Sequence, residues 1–298
     1  MDRLDSMSIL VAAVDAGSFS RAARRLGLPL ATVSRRVSDL EHHLGTQVVE
    51  RSPRGLTPTD AGEAYLSACR SILEQVAEAE RMAAGEYRAP KGLLTLTAPI
   101  VFGRLHVLPV LADFLRAHPE VDVRLEQTDR SVSLSEEHID AAIRIGHLAD
   151  SALRARRVAQ VRQVTCASPA YLDARGHPAR PEELAPHDCI TFERLMRPDR
   201  WQFGAGETER YVPVRSRMSV TTAEAAISAA EAGLGITRVL SYQVAAAVRA
   251  GRIRIILEAD EPAPWPVNIV YRPGMVPGKL RAFIDFAAAR LSARLADS

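Results

Sequence analysis

A chain of 298 residues with 47% hydrophobic and 25% charged residues has the balance of a globular protein and the length of two or three domains. A net charge of +2 neither demands nor excludes a nucleic-acid partner, so the distribution of charge has to decide. No run of about eighteen apolar residues occurs, and the acidic start Met1-Asp2-Arg3-Leu4-Asp5 lacks the basic-then-apolar order of a secretory leader; the expectation is a cytoplasmic protein with no membrane partner.

Leu4, Met7, Leu10, Val11 and Val14 recur at helical spacing and predict a first helix ending near Asp15-Ala16-Gly17. Ser18 is then expected as an N-cap whose hydroxyl accepts from the next turn. Phe19, Ala22, Ala23 and Leu26 make the apolar face of a short second helix, stopped by Gly27. Pro29 opens a third, in which Val33, Val37, Leu40 and Leu44 form the buried stripe, and Gly45 ends it. Two short helices across a tight glycine turn predict a helix-turn-helix. Ala31, Thr32, Ser34, Arg35 and Arg36 occupy the part of the third helix that would enter a major groove, with Arg35 and Arg36 suited to bidentate guanine contacts and Thr32 and Ser34 to base edges or phosphates.

The segment Gln47 to Thr59 reads as strand, basic turn, strand: a wing placing Arg51, Ser52 and Arg54 against the DNA backbone. From Ser18 to Arg54 there are seven arginines against three acids, and from Pro58 to Glu86 two against six. A basic module followed by an acidic helix suggests separate faces for phosphate and for protein.

These residues resemble the LysR-type transcriptional regulators. The resemblance rests on Gly17-Ser18-Phe19-Ser20-Arg21-Ala22-Ala23, Leu26-Gly27, Thr32-Val33-Ser34-Arg35-Arg36-Val37, Leu40-Glu41, Leu44-Gly45, Glu50-Arg51-Ser52 and Gly55-Leu56-Thr57-Pro58-Thr59-Asp60-Ala61-Gly62. One departure stands out: where the family commonly has polar residues at the start of the recognition helix, this chain has Pro29, Leu30 and Ala31. Some base contacts are therefore expected to be apolar, as to a thymine methyl.

From Thr59 to about Tyr87 the composition is helical, with Thr59 or Asp60 as the cap. Tyr65, Cys69, Ile72, Val76, Ala79 and Ala83 keep the spacing of a two-stranded seam, so a dimer through this helix is expected; the alternative is a helix packed on its own domain. The resemblance further implies pairing of dimers into tetramers. Double-stranded DNA and a second copy are the expected partners, with RNA polymerase a candidate. Ala89-Pro90-Lys91-Gly92 breaks the helix.

Beyond Leu93, strands alternate with helices: a strand 93–97, a helix Arg104 to Ala117 kinked by Pro109, strands 121–125, 141–145, 161–167 and 189–192, a helix 222–232, strands 235–237 and 267–271, and a last helix from Lys279. Extended segments crossing at 161–167 and 267–271 imply two lobes with a ligand cleft between them. The resemblance implies the same architecture, similar to periplasmic binding proteins. The fold class is thus multidomain α/β: a winged helix-turn-helix (1–58), a linker and dimerisation helix (59–88), and an effector-sensing domain (91–298) with lobe I at 91–162 and 267–298 and lobe II at 163–266.

Cleft candidates are Thr97, Ile100, Val101 and Phe102 before the first helix of this domain, Arg130 after its second strand, Thr191 and Phe192 at a strand end, and Thr221 and Thr222 before the later helix. Members of the family often carry a hydroxyl residue near positions 100–101 and this chain does not, which weakens the expectation of an anionic effector. No cofactor is expected beyond that small molecule.

Cys69, Cys166 and Cys189 show no zinc spacing and read as reduced, buried thiols, with a Cys166–Cys189 redox pair as the alternative. An enzyme is the rival class, but GxSxG, P-loop and HExxH motifs are missing, and Lys91 and Lys279 are the only lysines that could form a Schiff base. A constitutive architectural DNA binder is the third; more than two hundred residues beyond the linker exceed what dimerisation needs.

Overall fold

The computed structural model describes residues 2–52, 55–83, 89–130, 132–134, 139–148, 152–193, 199–274 and 276–296, which divide at Ala89/Pro90 into two compact units.

In the first unit, helix α1 (Arg3–Asp15) is capped by Asp2, whose carboxylate accepts from the amides of Leu4 and Asp5 at 3.0 and 3.2 Å. α2 (Phe19–Leu26) and α3 (Leu30–Leu44) end at Gly27 and Gly45, both left-handed with φ of 66° and 68°. β1 (Val49–Ser52) and β2 (Gly55–Pro58) form the antiparallel wing, and α4 (Asp60–Ala83) follows. Ile9, Leu10, Phe19, Ala22, Val33, Val37 and Leu40 close the core between the three helices, and Leu56 of the wing joins it.

Side chains of polar residues fasten the wing. Glu41 of α3 accepts from the amides of Val48 and Val49 at 3.0 and 3.2 Å. Thr59 donates to the Gln47 carbonyl at 2.9 Å and accepts from the Gly62 amide at 3.0 Å, which makes it the cap of α4. Gly62 is obligatory for a steric reason: a Cβ there would lie 1.9 Å from the Val48 carbonyl oxygen. Gly55, at φ 130°, brings β2 so close to the α1–α2 turn that a Cβ would sit 2.9 Å from the Gly17 oxygen.

The expected seam on α4 divides in two. Leu66 and Cys69 are buried, Tyr65 packs partly into the domain core, and Arg70 pairs with Asp15 of α1 at 2.5 Å. The N-terminal half of the helix thus packs on its own domain, because α1 lies along it. Ile72, 39% exposed, and Val76 begin the stretch that remains uncovered in one chain; nothing of the Ala83 side chain is described.

In the second unit, β3 (Gly92–Ala98) leads into a helix of three parts: α5 (Ile100–Phe102), a π-helical turn (Gly103–Val107) and α6 (Leu108–Ala117). The helix therefore starts at Ile100, four residues earlier than its periodicity suggests. Its irregularity is a π turn immediately before Pro109, whose missing N–H cannot continue the regular ladder. β4 (Val121–Gln127), β5 (Ala141–Ile145) and β6 (Arg154–Val161) complete the outward half of lobe I.

The chain then crosses to lobe II through β7 (Gln163–Ala167), α7 (Pro169–Arg175), β8 (Asp188–Phe192), β9 (Arg200–Phe203), β10 (Arg210–Pro213), β11 (Arg215–Val220), α8 (Ala223–Glu231), β12 (Ile236–Leu240), α9 (Ser241–Arg249) and β13 (Arg254–Ile256). β14 (Trp265–Tyr271) returns to lobe I, where α10 (Gly278–Ala296) packs. The two five-stranded sheets repeat one plan: order β4-β3-β5-β14-β6 in lobe I and β11-β8-β12-β7-β13 in lobe II, in each of which the fourth strand alone runs antiparallel to its neighbours. β9 and β10 form a separate hairpin.

β12 lies between β7 and β8, so Cys166 and Cys189 sit two strands apart, about 9–10 Å, beyond the reach of a disulfide. Their partners on β12 are the successive residues Thr237 and Ile236, which places the two thiols on opposite faces of the sheet. Burial pushes both up to about 12, and no redox pair forms.

Candidate nucleic-acid interface and effector cleft

The exposed face of the first unit centres on a depression of about 340 Å³, lined by Gly17 to Ser20, Leu30, Ser34, Arg51, Gly55 and Leu56. Arg51, on the wing strand β1, lies with its guanidinium 4.6 Å over the Phe19 ring. It also donates to the Ser34 hydroxyl of α3 at 3.1 Å. An arginine on a free strand would sweep many rotamers; this one is held from two sides while the rest of its donors face outward. Ser34 accepts this bond and keeps its own proton, so the pair can address one phosphate with a guanidinium and a hydroxyl together.

Ser18 occupies the N-cap of α2 with extended backbone, but its hydroxyl makes no capping bond, unlike the expectation from sequence. On α3, Ala31 and Arg35 are exposed and Thr32 is half-buried. Arg36 turns away: it pairs with Asp5 of α1 at 3.4 Å, so it braces α3 against α1, and the exposed guanidinium on this stretch of α3 is that of Arg35. Leu30, 48% exposed in the first turn of α3, opens onto the depression. Ser52 lies on β1, and Arg54 lies outside the described residues. Phe19 reads in sequence as a core residue alone; its second role, under Arg51, has no local signal because the partners lie on different elements.

In the second unit the cleft candidates separate. Ile100, Val101 and Phe102 form the first turn of the helix instead of preceding it, with Val101 and Phe102 buried. The Ile100 amide donates to the Asp129 carboxylate at 3.1 Å, so the helix N-terminus already holds an anion of the chain itself. Arg130 beside it is exposed, and its amide donates to the Thr128 hydroxyl at 3.2 Å. Thr97 is 1% exposed, with a hydroxyl that has no hydrogen-bond partner among the described residues.

Thr191 and Phe192 belong to the lobe II interior, Thr191 donating to the Ser216 hydroxyl at 2.7 Å; the sheet buries them because β8 is a central strand. Glu193, next along, accepts from Ser219 at 2.5 Å. Thr222 caps α8 by accepting from the Ala225 amide at 3.2 Å, and the exposed Thr221 precedes it. Glu224 in that first turn reaches Arg104 of lobe I at 3.8 Å, both ends exposed. Each of the three anion-binding positions read from sequence therefore carries a carboxylate of its own: Asp129, Glu193 and Glu224.

Three residues outside the sequence reading close the junction of the lobes. Tyr242, at the start of α9, packs edge-on against Phe102 at 5.3 Å and His106 at 5.4 Å, and Gln243 donates to its hydroxyl at 3.4 Å. Burial, with the Asp129 charge nearby, raises the Tyr242 phenol above its ordinary range. Among the described residues no group of three or more His, Cys, Asp or Glu side chains is placed to hold a metal, and no helix is long and apolar enough to cross a membrane.

Comparison with known proteins covers both units. Residues 4–63 match the model described as "Bacterial regulatory helix-turn-helix protein, lysR family", and residues 88–292 match "LysR substrate binding domain". An HTH-type transcriptional repressor of Pseudomonas aeruginosa is 36% identical over 290 residues, covering 96% of this chain and 91% of that one. The transcriptional activator TtdR of Escherichia coli is 31% identical over 292 residues, covering 97% and 94%. The structure of CrgA, a LysR-type regulator from Neisseria meningitidis, superposes with a TM-score of 0.61 at 29% identity over 96% of this chain and 98% of that one.

Proposed function

This chain belongs to the LysR family of transcriptional regulators, DNA-binding proteins with an effector-binding domain rather than enzymes, and on that premise we propose how its own residues divide the work. Two copies joined through the uncovered half of α4 present their α3 helices to a palindromic operator, with half-sites about one helical turn apart, roughly 34–36 Å. Pairing of dimers gives a tetramer, and RNA polymerase is the further protein partner. The protein works in the cytoplasm.

The observation that carries the DNA reading is Arg51, fixed between the Phe19 ring and the Ser34 hydroxyl at the mouth of the depression. A guanidinium so held meets a backbone phosphate without a further loss of rotamer freedom, and it sets register. Arg35, Thr32 and the apolar pair Leu30 and Ala31 then read base edges, the last two against thymine methyls.

The effector binds between the lobes, and it is a neutral polar molecule or a cation. A carboxylate arriving at the N-terminus of α5 would meet Asp129 already bonded there, and one arriving at α8 would meet Glu224. Like charges at contact distance oppose binding, whereas an amine or amide would find acceptors. The deciding experiment is a thermal-shift series on the full chain with matched amines, amides and carboxylates of one carbon skeleton, followed by mobility shift on the DNA upstream of its own gene. Ligand binding raises stability as RT ln(1 + [L]/Kd), about 2.7 kcal/mol at a hundredfold excess. Amines or amides are expected to stabilise; stabilisation by the carboxylate alone overturns the charge assignment and leaves the DNA reading intact.

A further inference from the structure

His106 belongs neither to the DNA-facing depression nor to the candidate anion positions. It lies on the π-helical turn Gly103–Val107 of lobe I, 8% exposed, with both ring nitrogens buried and without a hydrogen-bond partner among the described residues. A buried imidazole left unpaired on both sides is costly, because water satisfied both nitrogens before folding. Its ring lies 4.9 Å from Phe102 of its own helix and 5.4 Å from Tyr242 of lobe II, the latter nearly perpendicular at 80°. Two residues earlier on the same turn, Arg104 reaches Glu224 of lobe II at 3.8 Å. The π turn thus supplies lobe I with both an aromatic and an ionic hold on lobe II.

We propose that this turn is a latch between the lobes that closes over neutral His106 and opens when the ring takes up a proton. The proposal deepens the cleft reading, since it says what regulates closure of that site. The charges around the ring are consistent in sign. α10 contributes Arg294, whose positive charge opposes a second one on the ring, and β3 contributes no titratable group. α9 contributes Tyr242, with Asp129 and Glu224 beyond it, and Arg104 on the turn itself is engaged by Glu224. Among the described residues no carboxylate hydrogen-bonds the ring to hold it protonated.

Burial, followed by Arg294, lowers His106 from 6.5 to about 4 in the closed form. Once the lobes part, the ring regains water and an ordinary value near 6.5. The closed form is therefore fully favoured above about pH 6.5. Below it the open form binds a proton that the closed form refuses, and the open-to-closed ratio rises about tenfold per pH unit down to about pH 4.

The test is hydrogen exchange of the full chain, without ligand or DNA, from pH 7.5 to 5.0, with rates corrected for the pH dependence of the exchange chemistry. Peptides covering 100–107 and 241–247 are expected to lose protection by about tenfold per unit below pH 6.5, while peptides in the β3 and β12 strands stay protected. His106→Phe keeps an aromatic ring and removes the proton site, and its protection at these peptides should be flat with pH; His106→Leu serves as the second variant should the first fail to fold. Equal pH dependence in the variants, or equal loss across the whole second unit as in global unfolding, overturns the latch. Neither readout involves DNA or effector, so the proposed function stands or falls separately.

Discussion

Arg51 and Arg238 share one motif and lie in opposite settings. Each guanidinium stacks over a phenylalanine: Arg51 at 4.6 Å over Phe19 on the surface of the first unit, Arg238 at 4.0 Å over Phe203 inside lobe II. Arg51 is exposed, spends one bond on Ser34, and keeps its remaining donors for an outside partner. Arg238, 1% exposed, spends its donors on the chain: Nε and Nη2 go to the Thr165 hydroxyl at 3.3 and 3.2 Å, Nη1 to the Gln202 carbonyl, and Trp201 covers it at 5.3 Å. Burial pulls its pKa down to about 9, the mark of a charge removed from water. The same stacking contact therefore pre-arranges a binding group where water remains and pins a hairpin to a sheet where it does not.

The comparison breaks most readily at Arg238. Arg238→Ala leaves Thr165 and the Gln202 carbonyl without their donor and a void beneath Trp201 and Phe203, so the second unit should lose about 3 kcal/mol or more in chemical denaturation. Arg238→Met, which fills the space without a charge, should lose much less. Equal losses for the two would mean that the donors, and not the packing volume, hold the hairpin.

Arg51→Ala should leave the melting of the protein nearly unchanged and weaken all DNA by about tenfold, with the salt slope shallower by about one unit. Ser34→Ala should weaken DNA binding severalfold in the wild type and cost nothing more in the Arg51→Ala background, because the two act as one clamp. Additive losses would make Ser34 an independent contact.

The smallest effect is expected at Arg36. Its half-exposed pairing with Asp5 contributes about 0.2–1 kcal/mol of stability, as such pairs do. Arg36→Ala should lower the thermal midpoint slightly and leave the discrimination between operator and random DNA intact. Loss of discrimination by about 1–3 kcal/mol instead would return Arg36 to the groove.

Periodicity alone places the first three helices, the wing and the alternation of strands and helices in the second unit. Each of those elements has one apolar face whose spacing survives in a single line of residues. The readings that changed all depend on what an element packs against. Thr191 looks like a cleft residue until β8 proves to be an inner strand. Tyr65 and Cys69 look like a dimer seam until α1 lies along them.

Length, charge distribution and the run from Gly17 to Gly62 determine from sequence alone that the chain has a basic helix-turn-helix followed by a two-lobed sensor, because turns, caps and apolar stripes are set by neighbours a few residues away. Which arginine of α3 stands exposed, which carboxylate occupies the N-terminus of α5, and that His106 meets Tyr242 were decided only by tertiary structure. Those pairings join residues tens to more than a hundred positions apart, and the free energy of a charged or polar group depends on burial and partners, which no local pattern encodes.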